Sequence, residues 1–257
     1  MIVKNKEQMK ILVEGGQRLA EILNMVAKEV KPGVNVKKLN EIAETEVKKR
    51  GDRMAFLNYK PEGATRPYPA GLCVSVNDEA VHGIPNEKAK VLEEGDIVTL
   101  DMGLIHEGLV TDSAITVGVG GIDEKGKALI EVTKGALDVA IESAREGNKA
   151  GLIGANIESY VKSKGFIPAE GLGGHGVGES VHEEPYMPNI GPKDRGPRLR
   201  PGMVIAIEPI INEGTKRVYL DKDGYTLKTA DGKRSAQFEH TVLITDDNPI
   251  ILTKLGS

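Results

Sequence analysis

The stretch GDIVTLDMGLIHEGLVTDSAITV, residues 95–117, decides how the chain is built. Ile97 to Leu100 and Ile115 to Val117 are rich in β-branched residues, and a short polar break at Ile105–Gly108 separates the two runs. That is the pattern of a β-hairpin. Each arm carries an aspartate, Asp101 and Asp112. A turn centred between His106 and Glu107 sets the two directly opposite, with Cβ atoms about 4.5–5.5 Å apart. Two ionised carboxylates at that distance repel unless a cation lies between them. Either aspartate alone is better read as a solvated residue in the turn or at a strand end.

Two further apolar runs, Met203–Glu208 and Gln237–Ile244, read as central strands, and each carries a glutamate, Glu208 and Glu239. A carboxylate in a buried strand is costly unless it is paired or bound to metal. Four acids in or beside apolar strands, with histidines available nearby, meet the requirements of a site for two divalent ions.

The histidines lie in a glycine-rich segment, GGHGVGESVHEEP at 173–185, which holds His175 and His182. Gly171–Gly176 formally matches G-x-G-x-x-G, but Pro185 and Pro188 would break the helix that a dinucleotide fingerprint needs. The histidines are seven apart and so are not the helical pair of a zinc protease, which sit four apart. What remains is glycine admitting backbone close to a crowded site, with one histidine as a ligand and the other as a polar catalytic group.

The rest of the chain supplies scaffold. Helical periodicity predicts helices over about 6–29, ending at Lys31-Pro32-Gly33, and about 36–50, ending at Gly51; a long one ends near Gly147. Gly33 to Gly51 spans 18 residues, as does Gly147 to Gly165, and at an offset of 114 Leu39 answers Ile153, Ala43 answers Ile157 and Val47 answers Val161. A faint internal duplication follows, with halves of roughly 5–118 and 122–252 in one domain spanning 1–257.

Thirty-four basic and thirty-eight acidic residues leave a charge of −4, so electrostatic nucleic-acid binding is not expected. The lone Cys73 excludes an internal disulfide framework and suits a reducing compartment. Charges in the first ten residues argue against a secretion signal, and no run reaches membrane-span length. A cytoplasmic protein without a membrane partner is expected. Aromatics are 4% of residues and tryptophan is absent, so aliphatic side chains must fill the core.

Five ordered motifs together carry a resemblance: NDEAVHGIP at 77–85, Asp101 with Asp112, GHGVGESVHEEP at 174–185, PGMVIAIEP at 201–209 and AQFEH at 236–240. From about residue 5 to 252 the chain resembles the type I methionine aminopeptidases. The resemblance implies the α+β pita-bread (creatinase/aminopeptidase) fold, with two pseudo-symmetric halves around a central curved antiparallel sheet flanked by helices. It also implies a dinuclear site of two divalent ions (Co, Mn, Fe or Zn) held by Asp101, Asp112, His175, Glu208 and Glu239. Asp112 and Glu239 would bridge the ions, Asp101 would chelate one, and His175 with Glu208 would complete the other.

Hydroxide shared by the ions would attack the first peptide carbonyl of nascent polypeptide N-termini, with a small second residue preferred. His82 and His182 match the family's two non-ligand histidines near the substrate. His182 would bond the carbonyl and His82 the scissile amide, while Glu208 shuttles a proton. Tyr68 and Cys73 match positions lining the methionine pocket, and Val181 stands where relatives usually carry an aromatic. The rival on the same ligand set is an Xaa-Pro aminopeptidase or dipeptidase, which generally has an added N-terminal domain for which this chain has no room. A non-catalytic peptide-binding module would have lost ligands that are all present here. His106 reads as a hairpin-tip residue and His240 as lying behind a ligand strand. The basic loop Lys193, Arg195, Arg198 and Arg200 reads as a solvated face, with a transient ribosome contact the lesser reading. Monomer is the default state.

Overall fold

A computed structural model describes residues 1–87 and 90–256. The chain opens with helices α1 (Lys6–Lys28) and α2 (Val36–Lys49), then strands β1 (Arg53–Met54), β2 (Cys73–Val76), β3 (Glu79–Val81), β4 (Ile97–His106) and β5 (Leu109–Gly118). Helices α3 (Glu124–Ser143) and α4 (Ala150–Ser163) follow, then β6 (Ile167–Pro168), β7 (Gly173–Gly176), β8 (Glu183–Pro188), β9 (Val204–Ile207) and β10 (Ile210–Asn212). The chain continues through β11 (Val218–Leu220), β12 (Leu227–Thr229), β13 (Ser235–Gln237), β14 (Glu239–Leu243) and β15 (Ile250–Ile251).

Local chemistry sets the helix starts. Asn5, Asn35 and Asp123 each accept a backbone N–H of the first turn, satisfying donors that the helix itself cannot. Gly33, Gly51, Gly147 and Gly165, expected to close helical segments, all take left-handed φ of 85°, 78°, 78° and 81°. The third helix stops at Ser143, before the Gly147 expected from periodicity, because Ser143 O accepts from the Asn148 side chain and the chain turns there.

The helices cover a nine-stranded sheet ordered β1-β4-β5-β14-β9-β7-β8, with β2 also on β4 and β15 on β14. Every named pairing in it is antiparallel. One core joins α1 and α2 to β2 and β4, through Leu19, Ile22, Leu39, Val74 and Leu100. A second joins α3 and α4 to β9 and β14, through Leu129, Ala136, Ile153, Ile205 and Val242. Both helix cores lie on one face of the sheet; the alternate residues Val204, Ala206 and Leu243 pack on a third cluster on the other face, so β9 is buried throughout.

The β4–β5 hairpin forms as expected but in a different register. Asp101 pairs with Ala114 and Gly103 with Asp112, so the two aspartates are offset rather than opposite. The cause is the turn: Glu107 and Gly108 both take positive φ (44° and 89°) and form a two-residue turn closed by His106 and Leu109. The turn thus lies one residue further along than expected, and the pairing slips by two. An even slip keeps both side chains on one face. His106 closes that turn, at the hairpin tip as expected, and is buried there: it is 5% exposed, with Nδ1 2.7 Å from Asp52 Oδ1.

Candidate metal centre

The offset aspartates reach a common cavity because neighbouring strands are stitched to β5 by hydroxyls. Thr241 Oγ1 accepts from Asp112 N at 2.8 Å and donates to Asp112 O at 2.7 Å, while Ser113 Oγ donates to Glu239 O. Thr116 Oγ1 donates to Gln237 O, and Gln237 Nε2 donates to Glu208 Oε2 at 3.1 Å. Short β-branched and hydroxyl side chains thus lock β14 beside β5 where only Glu239 and His240 keep ladder register. On the other flank β7 lies against β9. A Cβ on Gly174 would fall 2.1 Å from Ala206 O, so glycine alone admits the strand that brings in His175.

The cavity holds about 100 Å³. Asp101, Asp112, His175, Glu208 and Glu239 line it, together with His82, His182, Tyr68 and Cys73. Asp112, His175 and Glu239 each offer a donor atom within 4.8 Å of the others. His175 Nε2 is 3.5 Å from Glu208 Oε1, and its Nδ1 lies 2.9 Å from Gly176 O. A proton on Nδ1 donated to that carbonyl leaves Nε2 as a lone pair facing the acids.

Buried side-chain oxygens without a hydrogen-bond partner among the described residues include Asp101 Oδ1, Asp112 Oδ1 and Glu239 Oε1. Burial raises the pKa of Asp112 to about 7. Burial, followed by repulsion from neighbouring carboxylates, pushes Asp101, Glu208 and Glu239 well above the usual carboxylate range. Desolvation lowers His82 to about 4 and His175 to about 3, with the neighbouring His182 acting in the same direction. Neutral imidazole and oxygen atoms without donors are what a divalent cation coordinates, so the residues fit a metal.

His82 is held at φ 59°, a left-handed conformation costly for a histidine, between β3 and Gly83. His182 stands at the cavity mouth, open on its outer side, and desolvation of the rest of the ring lowers its pKa. Its ring packs edge to face on His175 at 4.5 Å. Tyr68 Oη donates to Gly83 O at 2.9 Å, and burial pushes the Cys73 thiol up. Val181 is buried in a core cluster and is not among the lining residues.

The aromatic wall comes instead from Phe56, Tyr59 and Tyr225, which sequence reasoning missed. A signal was present. The chain has six tyrosines and three phenylalanines, and Phe56, Tyr59 and Tyr68 fall within thirteen residues. His240 is a residue of β14 itself, next to Glu239 and on the opposite face of the strand, with Nδ1 2.9 Å from Thr253 Oγ1, and Lys193, Arg195, Arg198 and Arg200 are exposed.

No helix among the described residues is long and apolar enough to cross a membrane. Residues 10–246 match the family model described as metallopeptidase family M24. The chain is 48% identical over 255 residues to a methionine aminopeptidase of Aquifex aeolicus, covering 98% of each. It superposes on the crystal structure of methionine aminopeptidase from Thermotoga maritima with a TM-score of 0.92 at 40% identity, covering 99% of this chain and 100% of that one. A prolidase from Pyrococcus horikoshii shares the fold alone, with a TM-score of 0.76 at 24% identity over 99% of this chain and 64% of that one. The pita-bread architecture is common to all of these, and the match over residues 10–246 places the chain in metallopeptidase family M24.

Proposed function

We propose that the protein is a methionine aminopeptidase that removes the first methionine from nascent polypeptides and peptides in the cytoplasm, acting as a monomer and preferring a small second residue. The observation that carries this reading is the group of three buried carboxylates with unpartnered oxygens, joined by the half-buried Glu208, beside a neutral histidine at the end of an aromatic cavity. Asp101, Asp112, His175, Glu208 and Glu239 would hold two divalent ions among Co, Mn, Fe and Zn. When bound, such ions supply Lewis-acid polarisation of the carbonyl and make water nucleophilic at neutral pH.

The protein's side chains do the rest. Phe56, Tyr59, Tyr68, Cys73 and Tyr225 take an unbranched thioether side chain into an apolar pocket. His182 donates to the oxygen of the first carbonyl, where negative charge develops in the transition state. His82, neutral and fixed by its backbone, contacts the scissile amide nitrogen. Glu208 takes the proton of the attacking water and returns it to the departing amine. The exposed basic loop 193–200 is left as a solvated face, and a ribosome contact there is the lesser proposal.

The test is incubation under Mn or Co with peptides beginning Met-Gly, Met-Ala, Met-Lys and Ala-Pro, read by mass. Release of methionine from the first two alone is expected. Cleavage of only the Ala-Pro peptide would transfer the chain to the proline-specific branch of the fold.

A further inference from the structure

One contact at the cavity mouth is not used by the mechanism above. His182 Nδ1 lies 3.1 Å from Tyr59 Oη, and the two rings meet edge to face at 5.4 Å and 62°. On its other side the imidazole packs on His175. The ring of His182 is thus held between two others, with one nitrogen already engaged.

Tyr59 is placed to keep that bond. Its N–H donates to Phe56 O at 2.9 Å, its carbonyl accepts from Tyr68 N at 2.8 Å, and Asn58 N donates to Tyr68 O at 2.9 Å. These bonds make residues 58–68 a short closed loop. Beside this closure Arg66 forks onto Glu87 and donates to Asp223 O, while Tyr225 Oη donates to Arg66 O. The phenol therefore approaches His182 from a loop tied at both ends.

A neutral imidazole has one N–H and one lone pair. Donation to a substrate carbonyl requires the proton on Nε2, which leaves Nδ1 as an acceptor in need of a donor. The opposite tautomer would turn the Nε2 lone pair against the carbonyl oxygen. The partner of one ring nitrogen selects the state of the other.

We propose that Tyr59 is a positioning residue: its hydroxyl donates to His182 Nδ1 and so keeps the ring in the tautomer with N–H on Nε2, available to the substrate carbonyl. This rests on the reading of His182 as the carbonyl's donor. Tyr59→Phe keeps the ring and removes only the hydroxyl. It is expected to lower kcat for a Met-Ala peptide about tenfold, the lower end for loss of an orienting partner, with KM within about twofold. In a His182→Ala background the same substitution should change kcat by less than about twofold, since Tyr59 acts through the imidazole.

A second measurement does not depend on turnover. Histidine labelled with ¹⁵N in the metal-free protein at pH 8 should show His182, assigned by its loss in His182→Ala, as the Nε2–H tautomer, and as a mixture in Tyr59→Phe. A wild-type Nδ1–H tautomer, a tautomer unchanged by Tyr59→Phe, a purely KM effect, or an undiminished loss in the His182→Ala background would each overturn the proposal. Failure of the wild-type enzyme to release methionine would instead sink the functional reading, while the nitrogen spectra would still decide the hydrogen bond.

Discussion

The molecule buries acids in two ways, and the contrast between them locates its chemistry. Beside α3, Glu213 accepts from Arg234 Nε at 3.1 Å and Nη2 at 2.9 Å, and Lys125 Nζ lies 3.3 Å away. The Arg234 hydrogen bonds hold the Glu213 carboxyl below its ordinary range. Glu79 is also paired, accepting from Lys90 and from Val76 N. In the cavity the same residue types face one another with no lysine or arginine among the described lining residues, and their pKa values move the other way. A fold that pairs Glu213 with arginine has means to neutralise a buried acid. Leaving one oxygen each of Asp101, Asp112 and Glu239 without a donor among the described residues makes sense where the compensating charge arrives from solution.

The contrast breaks first on activity. Glu208→Gln and His82→Asn are expected to leave the fold intact, the latter because asparagine tolerates the left-handed backbone of His82, and to lower methionine release by about 10²–10³-fold. Turnover near the wild-type rate in either variant would remove that residue from the mechanism. By contrast Arg234→Met, in the paired cluster, should leave turnover unchanged.

Metal-free stability sharpens it next. The folded-state pKa of Asp112 lies near 7, above its unfolded value, so its ionisation costs stability as pH rises from the ordinary carboxylate range through about 7. Asp112→Asn should therefore raise the melting temperature of the metal-free protein by several degrees at pH 8, and the gain should vanish near pH 4. Saturating Mn²⁺ should stabilise the wild type, by about 2.7 kcal/mol at a hundredfold excess over Kd, and stabilise Asp112→Asn much less. Equal melting temperatures across pH for the two metal-free proteins would mean that Asp112 is not strained by its charge.

For Glu213 the sign is reversed. Its lowered pKa gives stability that is present above its ordinary range and lost as pH falls through the folded value. Arg234→Met removes the two guanidinium hydrogen bonds to Glu213, leaving it Lys125 and one backbone N–H, and should cost about 1–3 kcal/mol at pH 7. The loss should shrink in acid, as followed by urea unfolding. An undiminished loss at low pH would assign the effect to packing of the arginine stem rather than to its charge.

What made the site legible was this same expense of burying charge. Glu208 and Glu239 drew notice because runs such as VIAI and TVLI leave no solvent for a carboxylate, and period and turn chemistry placed the helices within a few residues. What stayed hidden depended on contacts remote in sequence. The burial of His106 at the hairpin tip was not legible because Asp52 and Glu14, which meet its two nitrogens, are 54 and 92 residues away. Phe56, Tyr59 and Tyr225 sit in loops with no period to betray which way they face. The register of β4 on β5 turned on one backbone angle, whether Glu107 would accept positive φ, and no pattern in the arms reports that.

That residue supplies the smallest and cleanest test, because the contrast between charged pairs has a counterpart in the backbone. His82 and Glu107 both adopt left-handed φ, 59° and 44°, at a conformational cost to an L-residue. At His82 the strain sets a side chain in the cavity. At Glu107 it serves only to reverse the chain, on an exposed tip followed by Gly108. Asparagine is favoured at the first central position of such a turn. Glu107→Asn should therefore stabilise the protein by a few tenths of a kcal/mol to about 1 kcal/mol, raising Tm by roughly 1–4 °C, with kcat/KM unchanged, whereas asparagine at position 82 removes activity. A lower Tm in Glu107→Asn would mean that glutamate is not strained there, and that the two-residue slip placing Asp101 opposite Ala114 has a cause in the strands rather than in the turn.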